Sequence, residues 1–318
     1  VAQPAHTASN LDAAGAEARG GRRWVAAEQR ASNLTMTVNA LNNFGPLLRD
    51  EEFEFIRYVM RENAGISLSD HKRSLVQSRL NSRLRALGMK SFAEYCDFVR
   101  ASGPEELAHL INAMTTNVTA FFREEHHFEA LAQVMLPAAM ERNAATRRIR
   151  IWSAGCSTGE EPYSIAITAA EVLERTPGWD FKVLATDIDS EVIKAGTEGI
   201  YPIARMSGLS LPRLRRWFSR GTAEHEGFAK VKPELASRVV FRSLNLFSKW
   251  PMTGQFDVIF CRNVMIYFEA DVADRLVGRI ANLLATGGYL CIGHSEAIRN
   301  RNLPLEPVGK TAYRKSGG

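Results

Sequence analysis

The chain has 318 residues, enough for two domains, and its 45% hydrophobic and 24% charged content is that of a globular protein. A net charge of +5 suits an anionic partner (nucleic acid, an anionic membrane face or an acidic protein) without choosing among them. No apolar run approaches the ~18 residues of a membrane span, and four cysteines without CxxC spacing argue against a zinc site or a disulfide framework, so no metal is expected and a reducing cytoplasm is the simple inference.

Residues 1–45 are rich in Ala, Gly, Asn and Arg with no sustained apolar period, and read as a disordered extension lacking the apolar core of a secretory signal. The first methionine is Met36, and the segment stands outside the fold argument. From 46 to 115 the pattern predicts a small all-α domain. Phe53, Ile56, Val59 and Met60 share one face of a first helix that Gly65 ends. Ser69 or Asp70 can cap a second helix carrying Leu75, Leu80, Leu84 and Leu87 and stopped at Gly88. That helix also holds Lys72, Arg73, Arg79, Arg83 and Arg85 with almost no acidic relief. Such charges usually make a solvated face, but this density suggests a docking surface. Residues 91–100 and 104–113 read as two further short helices.

From Ile149 the grammar becomes alternating strand and helix. Strands are expected over 149–153, 181–186, 239–243, 256–261 and 288–293, with helices after Glu161, after Ser190 and over 270–284. That alternation predicts an α/β fold with a mostly parallel, doubly wound sheet. The stretch 200–232 breaks the rhythm with a short basic helix and a hairpin around Gly227, and reads as an insertion.

Between the first strand and its helix lies Gly155-Cys156-Ser157-Thr158-Gly159-Glu160-Glu161-Pro162. Two glycines there let the backbone approach a nucleotide-like ligand closely. Thr158 and Glu161 have capping-box spacing, and Pro162 suits a first helical turn. In an open parallel sheet ligands bind at the carboxyl ends of the strands, so Asp187, Asp189, Asn245, Leu246, Arg262, Asn263 and Tyr267 are expected to form one polar rim. Each alone is more ordinarily a strand-end turn residue. The loop is not Gly-x-Gly-x-x-Gly, and Asp187 follows it by about 30 residues rather than ~20, which weakens an NAD reading. No P-loop occurs. S-adenosylmethionine, which has no phosphate to cradle, fits better.

Four blocks in order resemble the CheR-type chemotaxis receptor methyltransferases: Asn117-Val118-Thr119-Ala120-Phe121-Phe122-Arg123-Glu124, Ser157-Thr158-Gly159-Glu160-Glu161-Pro162-Tyr163-Ser164, Thr186-Asp187-Ile188-Asp189, and Phe260-Cys261-Arg262-Asn263-Val264-Met265-Ile266-Tyr267-Phe268. Asp70-His71-Lys72-Arg73 and Gly293-His294-Ser295-Glu296 match as well, and the resemblance runs from about Glu51 to about Tyr313. It implies a methyltransferase domain over 116–318 with a small β-subdomain at about 200–241, and methyl transfer from S-adenosylmethionine to receptor glutamates, leaving S-adenosylhomocysteine. By match of motif, Asn117, Thr119, Arg123, Glu161, Asp187, Asn245, Leu246, Arg262 and Asn263 line the cofactor pocket, with Arg123 and Tyr267 nearest the transferred methyl. The implied partners are cytoplasmic helices of chemoreceptors and, through the β-subdomain, a receptor C-terminal peptide. The expected protein is a cytoplasmic monomer recruited to receptor arrays, with neither nucleic acid nor membrane insertion involved.

A glutamate with a pKa near ~4.3 is already ionised at neutral pH, so attack on a sulfonium methyl needs no general base. His126, His127 and His294 are accordingly expected to be structural. Lys72, Arg73, Arg79 and Arg83 are expected to dock the acidic substrate helix. The alternative for Arg123 is a surface ion pair with Glu124. The rival readings are a nucleic-acid methyltransferase, which lacks its Asn/Asp-Pro-Pro-aromatic segment here, and a non-catalytic receptor-binding scaffold.

Overall fold

The computed structural model describes residues 45–317, so the extension expected over 1–45 lies, Gly45 apart, outside the described residues. Helix α1 (Asp50–Ala64) buries Phe53, Ile56, Val59 and Met60, and its acidic first turn complements the positive end of the helix dipole. A 3-10 turn (Asp70–Lys72) leads into α2 (Arg73–Leu87), whose inward row is Val76, Leu80 and Leu84. Leu75, expected inside, is 42% exposed. Residues four apart share a helix face, and Val76 continues the row that Leu80 and Leu84 define. Helix α3 (Phe92–Ala101) is capped by Ser91, whose hydroxyl accepts the Glu94 N–H, and α4 (Pro104–Met114) begins with proline. The four helices close on a core that includes Phe53, Ile56, Leu80, Phe92, Tyr95 and Leu110.

A segment without regular structure then leads to α5 (His126–Ala130), a π-helical turn (Leu131–Met135) and α6 (Leu136–Arg142), which were not expected from the sequence. The sheet follows with β1 (Arg148–Ala154), α7 (Glu160–Leu173), β2 (Asp180–Asp187) and α8 (Ser190–Glu198). An insertion holds β3 (Ile200–Pro202), α9 (Leu211–Trp217), β4 (Phe218–Arg220) and β5 (Phe228–Val231), paired antiparallel in the order β3-β5-β4. After α10 (Pro233–Ala236), the chain rejoins the main sheet at β6 (Val239–Ser243), which pairs in parallel with β2. The small sheet therefore ends before the 241 boundary expected for it. Then come β7 (Phe256–Cys261), α11 (Ala270–Leu283), β8 (Leu284–Ile292) and an unanticipated antiparallel pair, β9 (Leu305–Gly309) and β10 (Ala312–Lys315).

The main sheet has the order β6-β2-β1-β7-β8-β10-β9, parallel from β6 to β8. Chain order reverses direction at β1, since β2 and β6 lie to one side and β7 and β8 to the other; ligands bind at such switch points. The helical unit covers this edge. Ile66 makes an antiparallel bridge to Phe268, and the Ser67 N–H donates to the Tyr267 carbonyl at 2.8 Å. No helix among the described residues is long and apolar enough to cross a membrane.

Inside the helical unit, Arg83 donates to both oxygens of Glu106, at 3.1 and 2.5 Å. Burial raises the Glu106 carboxyl's pKa, but the Arg83 hydrogen bonds and charge overcome this and leave it below the usual range. Arg83→Ala would leave that carboxylate, 4% exposed, without its cation. Urea unfolding should show a loss of about 1–3 kcal/mol, and Arg83→Ala/Glu106→Ala should lose less than the two single variants summed.

Candidate active site

The carboxyl ends of β1, β2, β6 and β7 and the segment entering α5 surround a cleft that opens to solvent. Every residue named for the pocket lines it: Asn117, Thr119, Arg123, Glu161, Asp187, Asn245, Leu246, Arg262, Asn263 and Tyr267. Ile66 and Met114 from the helical unit and Ile188, Phe247, Val264 and Phe268 supply apolar wall.

The glycine loop is shaped by the protein's own side chains. A Cβ on Gly155 (φ 80°) would lie 2.3 Å from Val264 Cγ2, because the loop after β7 folds down onto it. A Cβ on Gly159 (φ 99°) would lie 2.7 Å from the Tyr201 hydroxyl of the small sheet. Gly159 is absent from the cleft lining, so close ligand approach is not the reason for it. The capping box is not formed either. Gly159 occupies the N-cap of α7, and the Thr158 hydroxyl donates to Glu160 Oε2 at 2.6 Å. Glu160 points away from the cleft, taking Arg205 Nη2 at 3.0 Å, while the Tyr201 hydroxyl donates to the Thr158 carbonyl at 2.8 Å. Two adjacent glutamates thus face two different neighbours.

Glu161 faces inward. It accepts the Ser153 hydroxyl at 2.7 Å and Arg262 Nη1 at 2.9 Å, and burial pushes its carboxyl above the usual range despite both bonds. Arg262, its side chain 1% exposed, also reaches Glu124 Oε2 at 3.3 Å and the Arg123 carbonyl at 2.5 Å. Glu124, whose partners the sequence did not disclose, also takes His294 Nδ1 at 2.9 Å. Burial raises its pKa, but the His294 hydrogen bond and the Arg262 charge more than offset this and bring it down to about 2. Arg123 lies in the irregular segment rather than on a helix. Its Nη1 donates to the Val118 carbonyl at 2.9 Å, and it forms no ion pair with Glu124, whose cation among the described residues is Arg262.

Asp187 accepts one backbone N–H on each oxygen, from Ser157 at 2.9 Å and Asp189 at 3.1 Å, and burial raises its carboxyl above the usual range. Asp189, expected on the rim and part of a family-matching block, does not line the cleft but is buried behind it. It caps α8 through the Glu191 N–H and receives the Asn117 side-chain amide and the Thr115 hydroxyl, both at 2.8 Å. Asn245 uses its amide to donate to the Asn63 carbonyl at the end of α1, 2.5 Å away. The Tyr267 hydroxyl donates to the Thr116 carbonyl at 3.3 Å.

The four cations expected to dock substrate are mostly engaged inside the helical unit. Arg79 donates to the Met114 and Thr115 carbonyls at the end of α4, both at 2.8 Å, where a helix leaves acceptors open. Arg83 holds Glu106, and Arg73 pairs with Asp50 over the Phe53 ring. Lys72 bonds the Ser67 carbonyl at 3.2 Å and stands 6.0 Å from the centre of the Tyr267 ring, beside the cleft.

His127 is fully buried, its Nε2 2.9 Å from the Thr311 hydroxyl. Glu124, His126 and His127 each bring a ligand-type atom within 4.8 Å of the others, but the Arg262 guanidinium already neutralises that carboxylate. Burial, helped by Arg262 and His126, drops the His127 pKa to about 4 from the usual 6.5. The unfolded chain then binds the extra proton between those values, so stability is full above pH ~6.5 and declines as pH falls toward ~4. Urea unfolding across that window should show a slope on the order of 1 kcal/mol per pH unit that His127→Gln flattens. The Glu124 contribution disappears only lower, as pH falls from ~4.5 toward ~2.

A family model described as the CheR methyltransferase SAM binding domain matches residues 117–314, and one described as the CheR methyltransferase all-alpha domain matches 51–115. A chemotaxis protein methyltransferase of Salmonella typhimurium is 46% identical over 268 residues, 84% of this chain and 90% of that protein. Its Escherichia coli counterpart is 43% identical over 84% of this chain and 91% of its own length. Chemotaxis protein methyltransferase 2 of Pseudomonas aeruginosa is 43% identical over 83% of this chain and 92% of its own. Helical unit and sheet domain are each matched in turn, and the chain belongs to the CheR methyltransferase family.

Proposed function

We propose that the protein transfers a methyl group from S-adenosylmethionine to glutamate side chains on the cytoplasmic helices of chemoreceptors, forming the methyl esters of sensory adaptation. The observation that carries this is one cleft, in a CheR-family chain, whose rim bears Arg123 and Tyr267 beside the carboxylates Asp187 and Glu161. The cleft suits the cofactor. Asp187 accepts the Ser157 and Asp189 N–H groups, and a carboxylate has lone pairs beyond these for ribose hydroxyls. Ile188, Leu246 and Phe247 offer an apolar seat for an adenine, and Arg262 keeps one buried N–H, on Nε, without a partner. When bound, the cofactor supplies an electrophilic methyl on a sulfonium.

The protein's work is positioning and exclusion of water. The attacking carboxylate and the sulfonium lose their charges together, so a dry cleft favours the reaction over water, provided the atoms are held about 3–3.5 Å apart. Arg123 directs one N–H to Val118 and retains others in its planar fork to orient a carboxylate. The Tyr267 ring, fixed through its hydroxyl at Thr116, offers a π face to the cationic sulfur. With Arg73, Arg79 and Arg83 bonded internally, docking of an acidic helix rests on the field of the whole cluster and on Lys72 at the mouth. The small antiparallel sheet is the proposed seat of a receptor C-terminal peptide, which acts by raising effective concentration. The protein works as a monomer in the cytoplasm, brought by that contact to receptor arrays.

Transfer of labelled methyl to chemoreceptor membranes tests the reading. Base-labile label on the receptor, reduced about 10²-fold in Arg123→Ala with S-adenosylmethionine affinity little changed, is the expected result. Label on RNA, or none despite cofactor binding, would send the assignment to one of the rival readings. In the same assay Lys72→Glu should slow transfer severalfold at low salt and much less at 0.5 M salt, where the Debye length is only a few Å.

A further inference from the structure

Glu296 follows β8 in a turn, is 9% exposed and does not line the cleft. Its carboxylate gathers four backbone N–H groups. Oε2 accepts those of Gly293 and Asn263, at 2.6 and 3.0 Å, and Oε1 those of Met265 and Ile266, at 2.7 and 3.3 Å. Three of these belong to the loop that leaves β7, and buried amides left without an acceptor are costly. Asn263 has a φ of 58°, a left-handed conformation that persists only where surroundings hold it. A Cβ on Gly293 would lie 2.5 Å from the Asn263 side chain and 2.9 Å from Glu296 Oε2, so the turn is closed tightly over the carboxylate. On its other side the same loop presents Asn263, Val264 and Tyr267 to the cleft.

We infer that Glu296 is a positioning residue for methyl transfer: its carboxylate fixes the backbone of 263–266 and thereby sets Asn263 and Tyr267 at the reacting centre. The inference rests on the proposed function for its activity readout. An acid with no contact to the cleft is used because only a carboxylate offers enough lone pairs to take four N–H groups from two chain segments.

Glu296→Gln keeps the shape but turns an NH2 group toward two of those N–H groups. Hydrogen exchange should quicken at least about tenfold at Gly293, Asn263, Met265 and Ile266 and stay unchanged in α1 and α4. At saturating S-adenosylmethionine and receptor, kcat should fall at least about tenfold with receptor KM changed less than about twofold. Combined with Tyr267→Phe, the loss should be smaller than the product of the two single losses, because both act through one loop. Faster exchange with unchanged kcat overturns the inference, as do multiplicative losses or unaltered exchange. If Glu296→Gln does not fold, Glu296→Asp carries the same readouts, since it keeps the charge on a shorter stem. A wild-type protein that does not methylate receptors sinks the proposed function, while the exchange measurement still judges the clamp by itself.

Discussion

A single buried guanidinium organises this site. Arg262 emerges from the end of β7 and binds Glu161 at the start of α7, Glu124 ahead of α5 and the carbonyl of Arg123. Three chain segments far apart in sequence therefore meet on one side chain. Removing a charge from water costs several kcal/mol, and pairing roughly restores it, so the network's main effect is on which arrangement forms rather than on how stable it is. Two acids, Glu124 and Glu161, share this one cation, while the cleft lining itself balances Glu161 and Asp187 against Arg123 and Arg262.

The helical unit is part of the cleft and not an appendage to it. Ile66 and Met114 stand in its wall, Asn63 receives Asn245, and Asn112 donates to the Ser190 hydroxyl beside Asp189. Arg79 bonds the chain just after α4, the segment that carries Asn117 and Thr119 into the cleft. The basic character of α2 thus has an internal explanation before any partner is invoked.

The parallel strands and the rim were legible because apolar alternation and strand-end polar residues are local patterns. What escaped was whatever depends on distant partners. Helix α5, the π turn and α6 carry buried apolar residues at Phe128, Leu131, Met135 and Leu136, a row that the π turn shifts out of the 3.6-residue period. Strand β10 pairs with both β8 and β9, and edge strand β9 is mostly exposed, so its sequence shows no clean alternation. Gly159 and Thr158 have a local reading as ligand-approach and capping residues, whereas their contacts with Tyr201 follow from how the insertion docks. Leu75 and Val76 differ by one step along the helix, a distinction that only the packed neighbours make. Glu296 could be recognised as part of a motif, but nothing in the sequence shows four amides converging on it.

The docking of the insertion has a mechanical consequence. Tyr201 and Arg205 fasten the small sheet to Thr158 and Glu160, and Ser157, next in the chain, bonds Asp187 on the cleft floor. The small sheet and the cleft floor are thus two ends of one short lever. Any free energy by which a ligand on the sheet altered cofactor binding would be returned in equal measure by the cofactor to the sheet. By this attachment a load on the small sheet would also gauge how full the cleft is.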